Sequence, residues 1–155
     1  SEEHGMGIVI NKPMGALRLP DLLSQIGIES SILAPQNPVL RGGPVDQARG
    51  FVLHTNDYEV EDATYAISPG ISLTATKEVL NALASPTPPE RAVLALGYAS
   101  WGPGQLEDEL MDNAWLVADA DPDIIFDLDL ETKWARALRS IGVDPARLVH
   151  NAGRA

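Results

Sequence analysis

The chain of 155 residues contains no cysteine, which removes disulfides, thiolate nucleophiles and cysteine-bound metal and fits a reducing compartment. Cationic side chains are scarce: 11 Lys and Arg stand against 22 Asp and Glu, a formal net charge of −11. Nucleic-acid affinity rests largely on phosphate neutralisation, so this balance argues against direct nucleic-acid binding. No apolar run approaches the ~20 residues needed to span a bilayer. The opening Ser1-Glu2-Glu3-His4-Gly5 has neither the basic stretch nor the apolar core of a signal peptide. The expectation is a cytoplasmic protein without membrane contact.

With 45% hydrophobic residues, the chain can bury a core as one domain, residues 1–155. Gly7-Ile8-Val9-Ile10-Asn11 reads as a strand closed by Lys12-Pro13-Met14-Gly15, since proline cannot donate to a ladder. Leu19, Leu22, Leu23 and Ile26 fall at helical spacing before Gly27. Segments 39–40, 51–54, 64–67 and 71–74 are short strands, and their frequency suggests a bent or barrel-like sheet. Thr76 caps a helix over 76–84 with Val79, Leu80 and Leu83 inward, and Arg91 to Gly97 is a central strand. A further helix spans 104–110, strands or extended pieces cover 114–118 and 124–126, and a helix over 132–141 aligns Trp134, Ala137, Leu138 and Ile141. Strand pairs with segregated helices give an α+β class.

The densest signal is Gly97-Tyr98-Ala99-Ser100-Trp101-Gly102-Pro103-Gly104-Gln105-Leu106-Glu107, where an apolar strand meets an acidic helix through a glycine- and aromatic-rich turn. Ser100 invites comparison with a nucleophile elbow, but Tyr98 stands where the first elbow glycine belongs, and His4, His54 and His150 lie far apart in sequence. Phosphate binding at the turn is opposed by Glu107, Asp108 and Glu109 at the helix start. Asp119, Asp121 and Asp123 alternate without a calcium-loop glycine or closing glutamate. The C-terminal Arg136, Arg139, Arg147 and Arg154 are interspersed with acids and read as a solvated face. No catalytic set, metal or cofactor is expected.

Gly97-Tyr98-Ala99, Trp101-Gly102, Gly104-Gln105-Leu106-Glu107 and Asn113-Ala114-Trp115-Leu116 closely resemble the signature of the bacterial YqgE/AlgH family. Gly7 to Pro13, Gly42-Gly43-Pro44-Val45, Arg49 to His54 and Gly70 to Thr74 resemble its other blocks in the same order. The resemblance implies a compact α+β domain with a strongly curved, partly barrel-like sheet flanked by helices, and an additional N-terminal segment in the full protein. It also implies a transcriptional-regulator type of protein. Together with the acidic balance, this gives a non-catalytic regulatory or interaction protein acting through an unknown protein or small-molecule partner. The alternatives are a hydrolase-like enzyme or a direct DNA-binding regulator. The candidate recognition surface comprises Asn11, Lys12, Gly42, Gly43, Pro44, Arg49, His54, Tyr98, Ser100, Trp101, Gly102, Gly104, Gln105 and Glu107, with the 42–45 turn, near Arg41 or Arg49, forming one wall of a groove with the turn from Tyr98 to Gln105.

Overall fold

The computed structural model describes residues 3–29 and 33–152. Seven strands form one sheet: β1 (Gly5–Gly7), β2 (Pro13–Arg18), β3 (Pro38–Arg41), β4 (Val45–His54), β5 (Thr64–Ser68), β6 (Ile71–Thr74) and β7 (Ala92–Trp101). The order is β2-β3-β7-β4-β6-β5, with β1 joining the far end of β7. Among the described residues only β3 and β7 run parallel; the other pairs are antiparallel. The fold is α+β, and the sheet is open rather than closed into a barrel, because β2 and β5 end its order.

Alternation along the strands sends neighbouring residues to opposite faces. Val39, Val52 and Leu94 join Leu19 and Leu23 of α1 (Leu19–Gln25) and Val79 and Leu83 of α2 (Lys77–Leu83) in one core. Leu40, Leu53, Val93 and Ala95 join Ile71, Phe126 and Leu130 in the other. The sheet is therefore the wall between two cores.

Several expectations need correction. The first strand stops at Gly7, which pairs with Ala99, and Val9 N–H then donates to Gly42 O at 2.8 Å as the chain leaves β7. Pro13 opens β2 instead of ending a strand, tolerated because β2 is an edge strand and Pro13 is its first residue. Residues 124–126 are not a strand: Asp121 Oδ1 accepts from Asp123 N–H and Pro122 begins α4 (Pro122–Ile125), so capping outweighs the apolar run. Residues 114–118 have no regular secondary structure and pair with none of the described strands. Thr76 occupies the α2 cap position without a capping bond, and its buried hydroxyl lacks a partner.

Helices α3 (Gln105–Met111), α5 (Lys133–Ser140) and α6 (Pro145–Ala152) complete the chain with a 3-10 turn at Leu130–Thr132. The aligned face of α5 is divided: Leu138 is buried at 6% exposure, whereas Trp134 and Ile141 are not. Trp134 is 43% and Ile141 37% exposed, and with Leu138 they line a groove of about 600 Å³ against residues 113–118. Lys133 turns inward instead, at 2% exposure.

Candidate functional site

The Gly42-Gly43 turn lies directly on β7. A methyl group at Gly42 would strike Gly97 O, one at Gly43 would strike the Tyr98 carbonyl, and one at Gly97 would meet Gly43 O at 2.5 Å. Gly97 also has φ +78°, a conformation costly for any side-chain-bearing residue. This junction carries the chain from β3 into β4, whose first residue, Val45, pairs with Tyr98 of β7. Tyr98 meets the Phe51 ring edge-on at 5.7 Å, and the Arg49 guanidinium lies 5.1 Å from the Phe51 ring centre. Here backbone packs on backbone, and no cleft separates the 42–45 turn from Gly97 and Tyr98.

Beyond Tyr98 the strand continues to Trp101, so Ser100 lies on β7 opposite Met6 and not at a strand-to-helix elbow. Gly102 N–H donates to Gln105 Oε1 at 2.9 Å, closing the turn into α3. Glu109, one helical turn after Gln105, accepts from Trp115 Nε1 at 2.7 Å and Trp101 Nε1 at 3.1 Å on one oxygen, and from Gln105 Nε2 at 2.9 Å on the other. The hydrogen bonds from Trp115, Gln105 and Trp101 hold its carboxyl below the ordinary glutamate range. The indoles meet edge-to-face at 5.8 Å. Gly5 and Gly7 pack against the Trp101 ring, leaving Trp101 half-buried and Trp115 49% exposed, with Leu116 and Val117 exposed alongside.

His54 lies elsewhere, at the far end of β4, with no solvent exposure. Nδ1–H donates to the Thr55 carbonyl at 2.8 Å, which leaves Nε2 to accept from Thr74 Oγ1 at 2.7 Å. Thr74 then accepts from Thr64 at 2.7 Å, and Thr64 from Val60 N–H at 2.8 Å. One directional chain thus fixes the imidazole tautomer. Tyr58 covers the ring edge-on at 5.5 Å. Next to it, Asp57 accepts from the Thr55 hydroxyl and Glu90 N–H, tying the β4 exit to the approach to β7; the Thr55 bond lowers its pKa first.

With this geometry established, the AlgH-like family model matches residues 1–146. The chain belongs to the AlgH-like family. A UPF0301 protein of Bradyrhizobium diazoefficiens is 51% identical over 162 residues, spanning 100% of this chain and 76% of the relative. The UPF0301 protein of Caulobacter vibrioides is 48% identical over 155 residues, spanning 99% and 80%. The solution structure of the AlgH protein from Pseudomonas aeruginosa superposes with a TM-score of 0.75 at 39% identity, over 96% of this chain and 78% of that one. A Corynebacterium diphtheriae protein, DIP2367, shares the fold at a TM-score of 0.64 and 18% identity, over 88% and 72%.

Across this AlgH-like fold the expected site residues divide into groups. Gly42, Gly43 and Tyr98 meet at the glycine junction, with exposed Pro44 next in the turn and Arg49 over Phe51. Trp101, Gly102, Gly104 and Gln105 shape the aromatic corner, with exposed Glu107 on α3. Asn11 and Lys12 precede β2, Ser100 is exposed on β7, and His54 is sealed inside.

Sequence reasoning missed Glu109 as the common acceptor of two indoles, although its helical spacing from Gln105 was available. It also missed Lys133, whose Nζ donates to Ile125 O at 2.6 Å; burial lowers its pKa to about 8. The acidic run is committed locally: Asp121 caps α4, Asp123 pairs with Arg91 at 2.8 Å, and Asp127 pairs with Arg136. Among the described residues no group of three His, Asp or Glu could hold a metal ion, and no helix is long and apolar enough to cross a membrane. Arg154 lies outside the described residues.

Proposed function

We propose that this AlgH-like chain is a non-catalytic regulatory protein that engages a protein partner through the corner formed by Trp101, Glu109 and Trp115. The carrying observation is that a single carboxylate oxygen receives both indole N–H groups. Two partly exposed aromatic rings are thereby fixed in orientation before any partner arrives. Such preorganised aromatics lose little side-chain entropy on association and serve well as recognition anchors. Exposed Leu116 and Val117 extend the apolar surface beside them.

The non-catalytic part of this reading is supported by where the reactive groups are committed. Glu109 is occupied by three donors, and His54 has both ring nitrogens engaged in the interior. The regulatory part extends the family resemblance, and the net charge of −11 favours action through a partner in the cytoplasm over direct DNA contact.

A photo-crosslinking residue at Val117, introduced into the protein in its native host, tests the reading. A discrete protein adduct at 117, absent when the same residue replaces Thr87 and lost on Trp115→Ala, is expected. No adduct at 117, or the same adducts at both positions, overturns it.

A further inference from the structure

We propose a second and chemically different site, independent of the aromatic corner: Lys12 and Arg41 bind the phosphate group of a small phosphorylated ligand. Pro13 pairs with Leu40, and Arg41 N–H donates to Lys12 O at 2.8 Å. Lys12, the residue before β2, therefore lies opposite Arg41, one step beyond the Pro13–Leu40 pair. Arg41 also pairs with Leu96, which pairs on its other side with Gly50. Lys12, Arg41, Leu96 and Gly50 thus form a row across four chain segments. Gly50 contributes no side chain, and the side chains of Leu94 and Leu96 lie against it.

Three observations favour a ligand here. Lys12 and Arg41 are both exposed, and neither forms an ion pair with a described residue, whereas Arg91 and Arg136 do. Like charges opposite each other across strands are destabilising, so folding alone does not favour this placement. Strands β2, β3, β4 and β7 together contain one carboxylate, Asp46, in the irregular stretch of β4 between Val45 and Gly50, although acids outnumber bases two to one in the whole chain.

Exposed charges more than about 8 Å away are largely screened at physiological ionic strength, so the local pair outweighs the distant acidic excess. A guanidinium fork next to an ammonium matches the several acceptor oxygens of a phosphate. The segments are held in place: Val9 N–H donates to Gly42 O and Gly42 N–H to Leu96 O, each at 2.8 Å.

Inorganic phosphate is the probe, titrated at constant ionic strength while the amide NMR signals of Lys12, Arg41 and Leu96 are followed, with acetate as comparator. Saturable shifts with phosphate and none with acetate are expected. Lys12→Gln and Arg41→Gln should each weaken phosphate at least about tenfold, while the urea midpoint stays level or rises as the like-charge repulsion is relieved. Shifts that fail to saturate, or that survive both substitutions, overturn the site. Equal acetate affinity overturns the phosphate assignment, as does binding of a single-stranded oligonucleotide without any phosphate response. A lowered urea midpoint in both variants would mark a structural role and likewise overturn the proposal.

Discussion

His54 and Glu109 each organise a polar network, one in the interior and one at the surface, and burial makes them different kinds of device. Around His54 every link from Val60 N–H to the Thr55 carbonyl is made within protein. Water cannot replace a lost partner there, so a broken link costs the desolvation of whatever remains. Around Glu109 the partners are partly exposed, and solvent can take over from any of them. The first network holds the β4–β6 register, whereas the second mainly fixes the orientation of two indoles.

The interior side of this contrast is most sharply tested at the glycine junction. Gly97→Ala combines φ +78° with a methyl 2.5 Å from Gly43 O and should cost about 3 kcal/mol or more, measured by urea unfolding. A near-neutral result would mean that β7 can slide away from the 42–43 turn. Thr74→Val keeps the shape but removes the hydroxyl between His54 and Thr64, leaving Nε2 without its donor. The expected loss is about 2 kcal/mol, and an unchanged urea midpoint would remove the distinction drawn for His54.

Lys133 is an intermediate case, a buried ammonium with a carbonyl partner at Ile125. Desolvation lowers its folded pKa to about 8 from the ordinary 10.5. Between those values the unfolded chain binds more protons than the folded one, so stability rises with pH across that window. Wild type should gain about 1 to 2 kcal/mol relative to Lys133→Met between pH 7.5 and 9.5. Parallel stability curves for the two proteins would show that the amine is hydrated after all.

The surface network should show the smallest stability effect and the clearest spectroscopic one. Because the indole and amide donors depress the Glu109 pKa, its interaction is present above the ordinary glutamate value of 4.5 and is lost as pH falls through the lower folded value. Tryptophan emission should therefore change with a midpoint below 4.5. Glu109→Gln should abolish that titration while leaving the urea midpoint within error. A large fall in the midpoint would mean that the corner supports the fold and would collapse the comparison with His54.

Much of the architecture was legible in local pattern. The apolar run after Arg91 became β7, and the spacing of Leu19 and Leu23 became the buried face of α1. Errors arose where a local signal had two solutions. The 114–118 run has strand-like residues but no pairing edge, and 124–126 was claimed by an Asp-Pro helix start. The face of α5 has helical period, yet period does not say whether core or groove lies opposite.

The sequence by itself determined the α+β class, the excess of negative charge and the absence of cysteine chemistry. These follow from properties that each residue carries locally: its charge, its volume, and the backbone angles it permits. Only the tertiary structure decided that one carboxylate oxygen would receive both Trp101 and Trp115, that His54 would find Thr74 twenty residues away, and that Lys12 would stand beside Arg41. The physical reason is that such meetings depend on strand register and chain closure, which assemble residues whose separation along the chain carries no record of the contact.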